Sequence, residues 1–469
     1  MGDVSVVRKA LAAACGEARE GAEADAIGGT VVIGAPEPAD AANVRLRADG
    51  VGGGIVPALV VAPASTDEAA AALRVAAEHE LAVVVRGGGS RLGWGVPPAR
   101  CDLLIDMARM SAVVEHSAGD LVARIQAGAR MGDVAAVLAG AGQEIALDVP
   151  GQATIGGVVA TGLAGPRRLR YGTPRDLLIG ITIVRADGTV ARSGGKVVKN
   201  VAGYDVGKLL AGSAGTLALI ADATFRLHPL PAARAYVTAE YVAAGVACDA
   251  VAAAANSPLI ASAVELSRPE PGGPIRIGVL LEGSADGVAA RAMRMAGLLG
   301  PAETALDPPS WWRGAPRADG GTLVRVSFWV SALPRVLDAI DAAAREAGVS
   351  PVVNGSAGAG VLYLRLGADV SAETSAGTSP DTSPGAGAPP GAGAARAGDV
   401  ARFVRALRSG LAGERGGVVV LAAPGAVREA VAADGAMADG VPSLDLMRAV
   451  KDQFDPGHRM APGRFPEAM

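Results

Sequence analysis

The chain is poor in the residues that usually mark a metal or catalytic centre. It has three cysteines and four histidines in 469 residues. Cys15, Cys101 and Cys248 lie far apart, with no Cys-x-x-Cys pair, so they offer no zinc or iron–sulfur spacing. His79, His116, His228 and His458 are equally scattered, and no P-loop, Gly-x-Ser-x-Gly or His-Glu-x-x-His is present. The reading is therefore no metal site and no assigned catalytic residue. Aromatics make up only 3% of the chain, which leaves the core to Ala, Val, Leu and Ile. The 43 basic and 47 acidic residues form no basic block, which argues against a nucleic-acid partner. No charge-free apolar run reaches the ~18 residues of a membrane span. The first residues carry Asp3, Arg8 and Lys9 and no uninterrupted apolar stretch, so a secretory signal is not expected and the cytoplasm is.

Glycine is abundant, and its placement is informative. A β-branched strand, Leu81 to Val85, runs into Arg86-Gly87-Gly88-Gly89-Ser90-Arg91-Leu92-Gly93. Consecutive glycines expose backbone N–H groups with no side chain in the way, as a diphosphate cradle requires. A second glycine stretch runs from Pro150 to Gly165 and holds Thr154-Ile155-Gly156-Gly157 and Thr161-Gly162. A third string, from Gly194 to Asp205, contains Lys196, Lys199, Asn200 and Tyr204, and Gly212-Ser213-Ala214-Gly215 follows it.

Around these motifs the pattern predicts a helix Val6 to Glu23 and a strand Thr30 to Ile33 within an extension over 1–50. Next come a strand Ala58 to Ala62 and a helix Ala69 to Glu80, entered through Ser65-Thr66-Asp67-Glu68. Strands follow at Leu103 to Asp106, Val122 to Ala127, Leu178 to Arg185 and Leu217 to Arg226, the last closed by Pro229 and Pro231. From 232 to 445, strands alternate with helices in a way that fits an antiparallel sheet with helices on one face. Within it, Ser371 to Gly398 is almost all Ala, Gly, Pro, Ser and Thr, a composition expected to stay disordered. The fold class is α+β.

The order and spacing of the glycine motifs resemble the FAD-binding domain of the vanillyl-alcohol oxidase/p-cresol methylhydroxylase (PCMH) superfamily, and within it the FAD-binding subunit of glycolate oxidase and related 2-hydroxy-acid dehydrogenases. The resemblance implies a PCMH-type, two-subdomain FAD-binding domain over 51–231 and a substrate-capping domain over 232–445. It also implies a tail, 446–469, that returns to the cofactor domain through Phe454-Asp455-Pro456 and Pro462-Gly463-Arg464-Phe465. The implied FAD contacts are Arg86, Gly87, Gly88, Gly89, Ser90 and Gly93; Pro150, Thr154, Gly156, Gly157, Thr161 and Gly162; Tyr171 and Gly172; Lys199; and Gly212, Gly215, Leu219 and Ile220. Ser90 stands where covalent relatives carry a flavin-linking histidine, so non-covalent FAD is expected.

The implied activity is oxidation of a 2-hydroxy acid by hydride transfer to flavin. Electrons would pass to a partner such as a second flavoprotein or an iron–sulfur subunit. Relatives with this activity carry a His-rich motif that the chain lacks. Two alternatives therefore stay open: a non-catalytic FAD-binding subunit of an oxidase complex, and a stand-alone FAD-linked oxidase of another alcohol. Arg276, Arg325 and Arg365 lie on predicted cap strands, and any of the three could hold a substrate carboxylate.

Overall fold

The computed structural model describes residues 4–15, 31–33, 55, 57–196, 203–317, 320–367, 396–433 and 443–464. Lys199, Asn200 and nearly all of the Ser371–Gly398 segment fall outside these residues. At that segment's end the structure differs from expectation, because a helix already begins at Ala397 and runs to Gly410.

The first layer is a parallel sheet of β1 (Val31–Ile33), β2 (Leu59–Val61), β3 (Val83–Arg86) and β4 (Leu103–Asp106), in the order β1-β2-β4-β3. The helix Thr66–Glu78 links β2 to β3. It is capped by Ser65, whose side chain accepts from the Glu68 amide, and it buries the Ala69, Ala72, Leu73 and Ala76 face. The second sheet is antiparallel. It comprises β5 (Val113–Ser117), β6 (Val122–Gln126), β8 (Leu178–Val184), β9 (Val190–Gly194) and β10 (Leu219–Arg226), with a short pair β7 (Gln143–Glu144) and β11 (His228–Pro229) beside it. β5 escapes prediction because only one edge pairs and none of its side chains is fully buried. One apolar core, including Leu73, Leu103, Ile125, Val158, Ile183 and Phe225, joins both sheets.

The third sheet has eight strands, all paired antiparallel. They are β12 (Ala233–Tyr241), β13 (Ala263–Arg268), β14 (Ile275–Gly283), β15 (Ala302–Ala305), β16 (Thr322–Phe328), β17 (Val352–Gly355), β18 (Val361–Leu366) and β19 (Gly416–Ala422). Their order is β15-β12-β14-β13-β17-β18-β16-β19. Alternation along each strand separates two faces. Val264, Ile277, Val324, Val326, Leu362 and Leu364 meet helices such as Leu333–Ala347 and Ala397–Gly410 in a second apolar core. The opposite face carries Glu265, Glu282, Arg325 and Tyr363 and turns toward the first two sheets.

Candidate functional site

The glycine loops, distant in sequence, pack on one another. A Cβ on Gly87 would lie 2.1 Å from Thr154 Oγ1, and one on Gly88 would lie 2.9 Å from the Gln152 carbonyl oxygen. The Gly88 amide donates to Thr154 Oγ1 at 3.4 Å. Gly89 holds a left-handed φ of +72° that favours glycine. The amides of Gly89 and Ser90 donate to no acceptor among the described residues. Thr154-Ile155-Gly156-Gly157 is the first turn of a helix, Ile155–Thr161, and a Cβ on Gly156 would meet that of Ala127 at 2.8 Å. Between these loops opens a cleft of about 800 Å³, its mouth included.

The cleft is lined with glycine, small aliphatic side chains, Ser90, Thr154 and Thr161, and its only charged lining groups among the described residues are Arg91 and Arg464. Burial pushes both guanidiniums down to about 10, with Arg317 adding to the effect at Arg91. Among the described residues no carboxylate lines the cleft. Its lining thus favours a ligand that carries negative charge.

The polar face of the third sheet is tied to a short segment, Arg167 to Tyr171, that follows the second glycine stretch. The Arg168 guanidinium donates to the Tyr363 hydroxyl at 3.1 Å. Tyr171 and Arg170 reach Glu282, through its carboxylate and its main-chain carbonyl respectively. Buried Arg167 joins three acids, with Nε 2.6 Å from Asp148, Nη1 2.7 Å from Glu144 and Nη1 3.5 Å from Glu282. Arg325 differs. It stands opposite Tyr363 in the β16–β18 register, within electrostatic reach of Tyr363 and Arg168. Burial lowers its pKa, its Nε has no hydrogen-bond partner, and no carboxylate among the described residues pairs with it. Of the other two cap-strand arginines, Arg276 pairs with exposed Glu240 and Arg365 has a partner of its own. Tyr363 is also within reach of Arg91, so the face that holds Arg325 adjoins the mouth of the cleft.

The family described as FAD binding domain matches residues 57–194, which supply both glycine loops. These residues are an FAD-binding domain. The chain is similar to the glycolate oxidase subunit GlcD of Bacillus subtilis, 34% identical over 204 residues that cover 42% of this chain and 43% of that one. It is similar to the D-lactate dehydrogenase of Archaeoglobus fulgidus, 37% identical over 176 residues, 36% of this chain and 39% of that one. The chain thus spans about two fifths of the length of these curated relatives. In fold it is similar to the carbohydrate oxidase from Microdochium nivale, with a TM-score of 0.63 at 16% identity over 97% of each chain.

The residues fit FAD. A glycine-floored cleft without acid accepts a dianionic diphosphate, and its apolar walls, among them Val158, Leu163 and Ile220, suit a flat ring system. Of the contacts expected from sequence, the cleft gathers Gly87, Gly88, Gly89, Ser90, Thr154, Gly156, Gly157, Thr161, Gly215 and Ile220.

Several others take different places. Arg86 pairs with Asp106, its partner in the parallel β3–β4 register, so its charge is neutralised outside the cleft. Gly93 receives a hydrogen bond from Arg428 and does not line the cleft. Pro150 accepts from the Ala153 amide in the turn before the helix. Gly162 ends that helix in a left-handed conformation against Gly212, which leaves both behind the wall. Tyr171 stacks edge-on against His228 at the sheet interface, with Gly172 next to it. Leu219 is fully buried in the core. Lys199 lies outside the described residues. Sequence reasoning missed Arg91, Leu92, Met107 and Arg464 as lining groups. The first two sit inside the recognised loop, and Arg464 sits inside the tail signature, so a signal existed in each.

Among the described residues no histidine or cysteine lines the cleft. His458 pairs with Asp452 at the surface. Among the described residues no cluster of acids, histidines and cysteines could hold a metal ion, and no helix is long and apolar enough to cross a membrane.

Proposed function

We propose that the chain is an FAD-linked oxidoreductase acting on a small 2-hydroxy acid, with 51–231 and 446–469 as cofactor domain and 232–445 as cap. The observation that carries this reading is Arg325, whose guanidinium has a buried, unbonded Nε and no acid partner among the described residues, on the cap face that adjoins the cleft. An uncompensated buried cation is costly unless an anion reaches it, and a carboxylate fits a guanidinium with two parallel hydrogen bonds. Tyr363 stands beside it. Its oxygen accepts from Arg168, which leaves its own O–H free to donate to a substrate oxygen. Both curated relatives described above are named for 2-hydroxy acids, glycolate and D-lactate. Bound FAD supplies the two-electron acceptor. The cap closes over the cleft and limits water, and the electrons leave to a partner, a second flavoprotein or an iron–sulfur subunit. Ser90 stands at the cleft where a flavin-linking histidine would be needed, and no histidine or cysteine lines it among the described residues, which supports non-covalent FAD.

The test is anaerobic mixing of the purified flavoprotein with glycolate, lactate, 2-hydroxyglutarate and carboxylate-free alcohols, following the oxidised flavin band near roughly 450 nm. The 2-hydroxy acids should bleach it and the alcohols should not. Arg325→Met should raise KM for the acid about 10- to 100-fold at unchanged FAD content, since hydrogen bonds to charged groups contribute about 1.5–3 kcal/mol. If no 2-hydroxy acid bleaches the flavin, the second reading takes over: an FAD-binding subunit that turns over no substrate itself. The absence of any histidine from the cleft lining favours that reading.

A further inference from the structure

The C-terminal arm is anchored to the FAD domain upstream of Arg464 and independently of it. The Val83 amide donates to the Arg459 carbonyl at 2.8 Å and the Ala461 amide donates to the Val83 carbonyl at 2.7 Å, so the arm adds to the free edge of β3. Buried Lys451 donates to Asp455, to the Thr216 carbonyl and to the Met460 carbonyl, at 2.6, 2.6 and 3.1 Å. Met460 is part of the core that joins the first two sheets.

Arg464 itself goes elsewhere. It is 6% exposed, lines the FAD cleft, and donates through Nη1 to the Leu92 carbonyl at 2.9 Å and through Nη2 to the Trp94 carbonyl at 2.7 Å. Carbonyls satisfy donors but do not neutralise a charge. No carboxylate among the described residues faces the guanidinium, and burial lowers its pKa. A full positive charge is therefore held at the wall of a cleft whose ligand is an anion. Arg86, the cation expected from the loop sequence, is already neutralised by Asp106.

We propose that Arg464 is the countercharge that the C-terminal arm inserts beside the cofactor, acting on the negative charge of its diphosphate or of its reduced ring. The proposal rests on FAD as the ligand of this cleft, and its test reads binding rather than turnover. Apo-protein of the full-length chain is titrated with FAD and with riboflavin, which has the ring but no phosphate, and the midpoint potential of the FAD form is measured. Two variants separate charge from clamp: Arg464→Lys keeps the charge and loses the two-carbonyl fork, whereas Arg464→Gln loses the charge and keeps a donor.

If the diphosphate is the anion, Arg464→Gln weakens FAD at least tenfold, leaves riboflavin within twofold, and Arg464→Lys recovers most of the loss. If the reduced ring is the anion, oxidised FAD binds as before and the potential of Arg464→Gln falls by about 30 mV, which is a tenfold change for a two-electron couple. Either result supports the assignment. Equal weakening of FAD and riboflavin in both variants at unchanged potential overturns it and makes Arg464 a clamp on the loop. Unchanged affinity and potential also overturn it. A wild-type chain that binds neither flavin overturns the cofactor and the arginine's part together.

Discussion

Buried arginine is used in opposite ways at the domain interface and at the cleft. At the interface, Arg167 is surrounded by Glu144, Asp148 and Glu282, which raise its pKa well above the ordinary arginine value despite burial, and Arg234 adds a second cation to Glu282 at 2.9 Å. At the cleft and on the cap face beside it, Arg91, Arg325 and Arg464 have no acid partner among the described residues, and burial pushes each of them down. A charge already neutralised inside the protein holds the architecture together, whereas one left uncompensated in a cleft is completed by a ligand. The paired set joins the second and third sheets. Under the proposed function, the unpaired set lies where an anionic cofactor and an anionic substrate would meet.

The largest effect comes from breaking the paired set. Arg167→Met leaves Glu144 and Asp148 without their buried cation, and removing one partner of a buried ion pair typically costs about 3–5 kcal/mol. A melting temperature lower by on the order of 10 °C is expected, read by circular dichroism. Arg276→Met, which breaks an exposed pair with Glu240, is the control and should shift it by under a degree or two. A stable Arg167→Met would mean that apolar packing alone holds the sheets together. The next effect breaks the cleft while sparing the interface. Gly88→Asp places a Cβ 2.9 Å from a backbone carbonyl and a carboxylate in an acid-free cleft. The variant should purify nearly colourless with its circular dichroism intact, and the ratio of flavin to protein absorbance measures it. Normal flavin content would place the cofactor elsewhere.

How much of this was legible in the sequence follows the same division. The cleft floor is backbone, and backbone geometry shows itself in glycines: Gly87, Gly88 and Gly156 are required because a Cβ at each meets a neighbour at under 3 Å. What a charged side chain does depends on its neighbours across the fold, which spacing does not show. Arg86 looked like a phosphate cation until β4 brought Asp106 beside it. Arg170-Tyr171-Gly172 looked like a ring contact, but its side chains are taken up by Glu282 and His228, which no local pattern connects to it. Arg325 was one of three equivalent cap-strand arginines, and only the register with Tyr363 and the missing acid partner distinguish it. Six of the cap strands, β12, β13, β14, β16, β18 and β19, were readable as antiparallel strands, whereas the four-residue β15 and β17 were not; which face met the helices was not readable either, since both faces carry apolar residues.

The smallest expected effect concerns Glu265, the acid counterpart of the unpaired arginines. It lies on the polar face of β13, is buried, and has one carboxylate oxygen, Oε1, without a partner. Burial, aided by Asp148, raises its pKa from 4.5 to about 7, against the opposing effects of a hydrogen bond from Ser356 and the charge of Arg168. The folded-state pKa is thus above the unfolded one, so the folded protein binds the extra proton. Stability from this group is fully present below about pH 4.5 and is lost as pH rises through about 7. At about 1.4 kcal/mol per pKa unit, the difference amounts to a few kcal/mol at most. Glu265→Gln carries no charge at any pH, so it should match the wild type near pH 5 and become the more stable protein above pH 7. Melting temperatures measured from pH 5 to 8.5 test this: the gap between the two proteins should open with rising pH. A constant gap, or one that opens toward acid, would mean that Arg168 keeps Glu265 ionised, and the polar face of the cap would then belong to the paired set throughout.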